Sequence, residues 1–181
     1  MSQLLTQSQI LAIDPAHSVV EFSARHLMIT TVKGRFGQVE GTVTRTEEGW
    51  RTEVSIDAAS VDTRTEQRDN HLRSADFFDV ENYPKLTFRS SAPAEFSAPG
   101  DTFELVGDLT ILSTTRPVTL AVTYNGAGKD PWGGDRLSFD ASTKIDRRDF
   151  GLTWNQGLEA GGVLVSNEIS INIEVQLVKQ S

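Results

Sequence analysis

Few side chains in this sequence could carry acid–base, nucleophilic or metal chemistry near neutral pH. There are three histidines, His17, His26 and His71, and no cysteine. The lack of cysteine excludes disulfides, thiol nucleophiles and thiolate-bound metals. No two histidines stand at the close spacing of a local zinc site, so no metal is expected. Serine, histidine and aspartate all occur, but there is no Gly-x-Ser-x-Gly elbow to mount a nucleophile and no Walker-type loop. Arg147-Arg148-Asp149 is too short for a phosphate-binding patch and reads as an Arg–Asp structural pair. No catalytic residue and no cofactor is expected on these grounds. One polar residue is singled out by position. His26 shares parity with Val20, Phe22 and Ala24, so in a strand it would face inward with them. An imidazole in an apolar interior needs a polar partner, and a ligand headgroup would serve.

The elements that would position such a residue are strands. Val20, Phe22 and Ala24 alternate with Glu21, Ser23 and Arg25. The same period of two recurs in Trp50, Thr52, Val54, Ile56 and Ala58, then in Leu86 and Phe88. It continues through Phe103, Leu105, Leu109 and Ile111, through Val118, Leu120, Val122 and Tyr124, and through Leu137, Phe139, Ala141 and Ile145. Ile169, Ile171, Ile173, Val175 and Leu177 close the series. Val39 and Val43 mark one more strand, in a segment where Gly34, Gly37 and Gly41 suggest bulges or bends. Asn125 to Gly134 reads as a loop, and Arg147 to Gly162, with Gly151, Gly157 and Gly161, as an irregular excursion. Residues 1–12 read as an N-terminal arm or short packed lead-in to a single domain over 13–179.

The stretch from Asp57 to Ser91 breaks the rhythm. Thr63 and Glu66 have capping-box spacing, which predicts a helix over 64–73, with Asp69 and Arg73 at a supportive i,i+4 distance. The helix is too polar to be core. Leu72, Ala75, Phe77 and Phe78 would anchor it on a rim.

Roughly eight strands in series, each with one apolar face, predict an all-β antiparallel fold. Such strands either pack as a sandwich or close into a barrel, and a barrel of this size is either filled by side chains or holds one small ligand. Periodicity alone leaves both outcomes open. The bulk numbers narrow the partners. A net charge of −8 and a pI near 4.9 disfavour nucleic acid, which requires basic side chains to neutralise phosphates. No apolar run approaches the ~18 residues of a transmembrane segment. The first ten residues lack the basic start and apolar core of a signal peptide, so a cytoplasmic location is the expectation.

Motifs spread along the chain resemble one family. Ile13-Asp14, His17-Ser18, Phe22 and His26 come first, then Gly34, Phe36 and Gly41. The densest set is Ser60, Asp62-Thr63, Arg68-Asp69, His71-Leu72, Phe77-Phe78-Asp79, Tyr83-Pro84 and Phe88. Gly107-Asp108-Leu109-Thr110, Arg116-Pro117-Val118, Asp146-Arg147, Asp149-Phe150-Gly151, Trp154-Asn155 and Gly162 follow. Together these residues resemble the YceI-like family of polyisoprenoid-binding proteins. Leu112-Ser113-Thr114-Thr115 departs from the family pattern, which has a glycine in that turn.

The resemblance implies a lipocalin-like, extended antiparallel barrel of about eight strands with one short helix packed near one end. It also implies non-enzymatic binding, storage or transport of a polyisoprenoid, an isoprenoid quinone or a similar amphipathic lipid, and a barrel homodimer. The ligand-facing residues expected from parity and resemblance are Val20, Phe22, Ala24, His26, Val54, Ile56, Leu86, Phe88, Leu105, Leu109, Val122, Phe139 and Ile171. Two other readings remain: an enzyme acting on a small apolar substrate with His26 as acid or base, and a filled barrel serving as an interaction module.

Overall fold

A computed structural model of the chain describes residues 9–158 and 162–180; Gly161 and residues 1–8 of the expected arm lie outside the described residues. The strands are β1 (Ile10–Ile13), β2 (Val19–His26), β3 (Thr30–Phe36), β4 (Val39–Thr46), β5 (Gly49–Asp57), β6 (Val61–Asp62), β7 (Lys85–Ser90), β8 (Thr102–Ile111), β9 (Thr114–Lys129), β10 (Asp135–Asp146) and β11 (Glu168–Lys179). The helix α1 (Glu66–Arg73) lies between β6 and β7. No helix among the described residues is long and apolar enough to cross a membrane.

Eight strands form a closed antiparallel ring in the order β1-β4-β5-β7-β8-β9-β10-β11, and β11 pairs back onto β1. Closure removes the unpaired edges that an open sheet would present. β1 and β2 lie along the same edge of β11. Leu11 to Ile13 pair with Leu177 to Lys179, and Val19 to Ser23 pair with Ser170 to Glu174. They are two halves of one wall strand, broken by the short 3-10 turn Pro15–His17. The hairpin of β2 and β3, with β6 added to β3, lengthens the wall at the end that carries α1.

The break in the wall is held by charge. Asp14 accepts hydrogen bonds from the Ala16 amide at 2.9 Å, His17 Nδ1 at 2.8 Å and Arg136 Nη1 at 2.5 Å. The His17 and Arg136 bonds hold its carboxyl down at about 2, below the ordinary 3.8. The folded pKa is the lower one. The stabilisation is therefore complete above the unfolded pKa and is lost as pH falls from about 4 to 2, amounting to at most about 2 kcal/mol. Asp14→Asn is expected to flatten the acid limb of the stability profile in that window. Urea melts from pH 6 to pH 2 check this, and an unchanged slope would count against the pinning role.

Several local expectations are corrected. The sheet begins at Ile10, inside the stretch read as an arm, because the short strand β1 bridges β11 and β4. The glycine-punctuated segment spans the regular strands β3 and β4, with Gly37 at the expected bend between them. Gly34 serves close approach rather than a bulge, since a Cβ there would overlap the Phe22 ring on the paired strand. β9 runs on to Lys129, so only Asp130 to Gly134 of the expected loop is a turn. Pairing shifts by one residue between Tyr124–Phe139 and Gly126–Ser138, a bulge that lets the strand continue past Asn125.

The helix start also differs. Thr65 is the N-cap and makes no side-chain cap bond. Thr63 does not form the expected capping box. Its amide and Oγ1 both donate to Asp69 Oδ1, at 2.8 and 2.6 Å. Arg73 in turn donates to the carbonyls of Ala59 and Val61 rather than pairing with Asp69. At the turn between β8 and β9, where the family's glycine is missing, Leu112 has φ 54°, a left-handed conformation that costs an L-residue about 1–2 kcal/mol.

Candidate functional site: the barrel interior

The inward face of every ring strand is apolar, yet many inward residues are only half-buried. Phe22, Val54, Ile56, Leu109, Ile171 and Ile173 all retain accessible surface. That surface faces an internal cavity of about 280 Å³. The cavity is just below the roughly 300–1,000 Å³ typical of small-molecule sites. The interior is therefore not filled by side chains, which resolves the choice that periodicity left open.

All of the sequence-predicted ligand-facing residues line this cavity except His26. Phe88, Val54 and Leu109 are cross-strand neighbours, as are Ile56 and Leu86, and Phe22 and Ile171. Antiparallel pairing thus stacks the predicted side chains into continuous apolar walls. His26 is the exception. It is exposed at the last residue of β2, and its backbone bridges Val165. The chain then turns through Leu27 and Met28 at φ 52° and 59°. His26 lies past the end of the wall, where the alternation of β2 no longer places a side chain in the cavity. An acid–base role for His26 on a substrate inside the barrel loses its basis.

The three histidines do not meet. His17 binds Asp14, and His71 Nε2 lies 2.8 Å from Asp76 Oδ2. Among the described residues no group of three or more His, Asp or Glu side chains converges to hold a cation.

Aromatic residues close both ends. Phe96 is the hub of the floor, within the segment that joins β7 to β8. Its ring stacks on Trp50 at 5.4 Å and on Phe103 at 5.8 Å, and contacts Tyr124 and Phe139, each at 4.9 Å. Ala94 and Trp50 exchange backbone hydrogen bonds at 2.9 and 3.0 Å, which fixes this segment across the barrel end. At the other end α1 and the residues after it form the cover. Phe78 meets Phe36 edge-on at 5.6 Å. Phe77, His71 and Trp154 form a second cluster with centroids 4.6–5.3 Å apart. Leu72, Phe77 and Phe78 line the cavity from above, as the rim-helix reading expected, whereas Ala75 is exposed.

The sequence reading missed some lining residues. Phe96 sits in a Pro- and Ala-rich connection, where a lone aromatic was the only signal. Leu152 and Val165 come from the irregular stretches 151–158 and 162–167, and both line the cavity. Arg147 is the polar surprise. It is 3% exposed and lines the cavity. Its Nε donates to Ser166 O at 2.9 Å, and its Nη1 donates to Leu152 O at 2.7 Å and Trp154 O at 2.8 Å. Burial pulls its pKa below the ordinary arginine value. The Arg–Asp structural pair expected in this motif exists, but it joins Arg148 to Asp146 at 2.6 Å.

An eight-stranded antiparallel ring, hollow within, is a lipocalin-like barrel. The model of the YceI-like domain matches residues 11–177. Over 99% of its length the chain is 35% identical to a UPF0312 protein of Pseudomonas aeruginosa (strain LESB58), of which it covers 94%. It therefore belongs to the YceI-like domain family. Two solved structures share the fold. Burkholderia cenocepacia BcnA has a TM-score of 0.75 and 26% identity over 91% of this chain and 98% of its own. A polyisoprenoid binding domain from Saccharophagus degradans has a TM-score of 0.70 and 16% identity over 94% of this chain and 98% of its own.

Proposed function

We propose that this protein binds a polyisoprenoid, an isoprenoid quinone or a similar long-chain amphipathic lipid inside the barrel, and stores or carries it without chemical change. The observation that carries this reading is the internal cavity whose walls, floor and cover are built almost wholly of aliphatic and aromatic side chains. Burial of such a chain is worth about 0.8 kcal/mol per methylene-sized group. A tail of several isoprene units would offset the cost of association and ordering. The Saccharophagus degradans domain, described as polyisoprenoid binding, supports the same ligand class through a shared fold.

The test is direct. Protein purified from a bacterial host is extracted with organic solvent and the extract analysed by mass spectrometry, and the stripped protein is titrated with an isoprenoid quinone. Stoichiometric lipid or saturable quinone binding is expected; the absence of both would refute the proposal. Ala141 lines the cavity on β10, so Ala141→Phe should place a ring in the bore. At least a tenfold loss of quinone affinity is expected, with the fold retained by circular dichroism.

A further inference from the structure

Large apolar side chains exposed on the described surface are few, and they are not scattered. Leu27, Met28 and Ile29 are 37%, 52% and 71% exposed and stand in a row, at the tip of the β2–β3 hairpin. Apolar residues exposed one at a time need no explanation, but an exposed run of three does. The backbone there is unfavourable as well. Leu27 and Met28 have φ 52° and 59°, positions that tight hairpin turns give to Asn or Gly. A polar turn would fold more easily and suit water better. Backbone strain that coincides with exposed apolar surface points to function.

Two further features fit the tip for a lipid surface. Arg25 holds its backbone: Nη1 donates to Thr31 Oγ1 at 2.9 Å, and Nη2 donates to the carbonyls of Ile29 at 3.2 Å and Met28 at 3.5 Å. These carbonyls keep a partner when water is withdrawn from the turn. The flanks are also basic. From Phe22 to Val39 the chain has Arg25, Lys33 and Arg35 and no Asp or Glu, in a sequence of net charge −8. Arg35 lies opposite Glu21 and 3.9 Å from Asp62, whereas Arg25 and Lys33 form no ion pair among the described residues. The tip stands beside the cover. His26 bridges Val165, which lines the cavity, and the Leu27 amide donates to Leu164 O at 2.9 Å.

We propose that Leu27, Met28 and Ile29 dip into the surface of an anionic lipid bilayer, with Arg25 and Lys33 against its headgroups, and so set the covered end of the barrel on the membrane. Burial of apolar side chains and attraction of basic ones to anionic lipid add in such contacts. The acidic remainder of the molecule is repelled by the same surface, which favours contact through this end. Three side chains give weak, reversible docking. Its use, loading and unloading of the bore at the membrane, rests on the lipid-binding reading; the docking itself does not.

The chain has no cysteine, so a single label can be placed at either end. Ile29→Cys and, on the far turn between β9 and β10, Trp132→Cys are each labelled with the polarity-sensitive dye NBD and stripped of lipid. With mixed phosphatidylcholine–phosphatidylglycerol vesicles the label at 29 is expected to shift to the blue and the label at 132 to stay in place. Vesicles of phosphatidylcholine alone should bind at least tenfold more weakly. In unlabelled protein, Met28→Asp combined with Ile29→Asp should lower cosedimentation with the mixed vesicles at least tenfold, with an unchanged circular dichroism spectrum. If that variant does not fold, the two labels carry the test. An unmoved label at 29, equal shifts at both ends, or equal binding to both kinds of vesicle would overturn the proposal. So would a dimer, seen by ultracentrifugation without vesicles, that the double variant dissolves, since the tip would then be a face between protein copies. Quinone binding without vesicle docking refutes this proposal alone, and docking without quinone binding refutes only the lipid-binding reading.

Discussion

Trp50→Ala should cost about 3–5 kcal/mol of stability, the range for removing a large aromatic side chain from a packed interior. Trp50 is 1% exposed. Its ring stacks on Phe96, and its backbone exchanges two hydrogen bonds with Ala94. The floor segment is tied to the barrel through this residue, so its loss also removes one of the two rings on which Phe96 stacks. The Arg45 guanidinium lies 5.7 Å from the Trp50 ring centroid and would lose that contact too. Trp50→Phe keeps an aromatic face and should cost clearly less. Urea denaturation of the two variants checks the ranking. If Trp50→Ala stays within about 1 kcal/mol of wild type, the floor does not depend on it.

The second large effect is expected at Asp69, on the cover. This carboxylate is 7% exposed and accepts from both the amide and the hydroxyl of Thr63. Arg68 binds the same threonine, donating from Nε to Oγ1 at 2.7 Å and from Nη2 to the carbonyl at 2.8 Å. α1 has almost no apolar face, so this polar knot does what packing does for most helices. Asp69→Ala leaves a buried amide and hydroxyl without their acceptor, a penalty of about 2–3 kcal/mol. The damage should be local. Hydrogen exchange is expected to accelerate in Thr63 to Phe78 while β8 to β11 remain protected, and a bound lipid should be released faster. Uniform loss of protection across the barrel would show that the helix is integral to the wall rather than a cover on it.

The knot also explains which parts of the sequence were readable. The densest run of family motifs, Asp62-Thr63 with Arg68-Asp69 and His71-Leu72, coincides with the cover's hydrogen bonds and aromatic contacts. The wall residues were legible because a barrel that is wet outside and apolar inside imposes a strict period of two. Parity cannot show where a wall stops, and His26 was misplaced for that reason. It also cannot show that a side chain from a paired strand lies over a glycine, which hid β3. The capping-box reading failed because the Thr63 hydroxyl donates to Asp69 and accepts from Arg68 Nε instead of accepting from an amide of the first helical turn. Phe96 and Arg147 were illegible for a common reason. Each takes its role from partners distant in sequence, Trp50 and Phe139 for one and Ser166 for the other. Nothing in a local pattern marks a residue whose partners arrive only when the barrel closes.

The three tryptophans sit in three separate settings. Trp50 is sealed in the floor, Trp154 is half-buried in the cover beside His71 and Phe77, and Trp132 is 88% exposed on the turn between β9 and β10. Their emission divides accordingly. The exposed indole contributes a red-shifted component open to acrylamide, unconnected with what the cavity holds. With Trp132→Phe that background is removed, and the remaining light comes from the two ends of the bore. Under the lipid-binding proposal the molecule then carries its own optical gauge of occupancy, and its titration with an isoprenoid quinone should be readable in real time without attaching a dye.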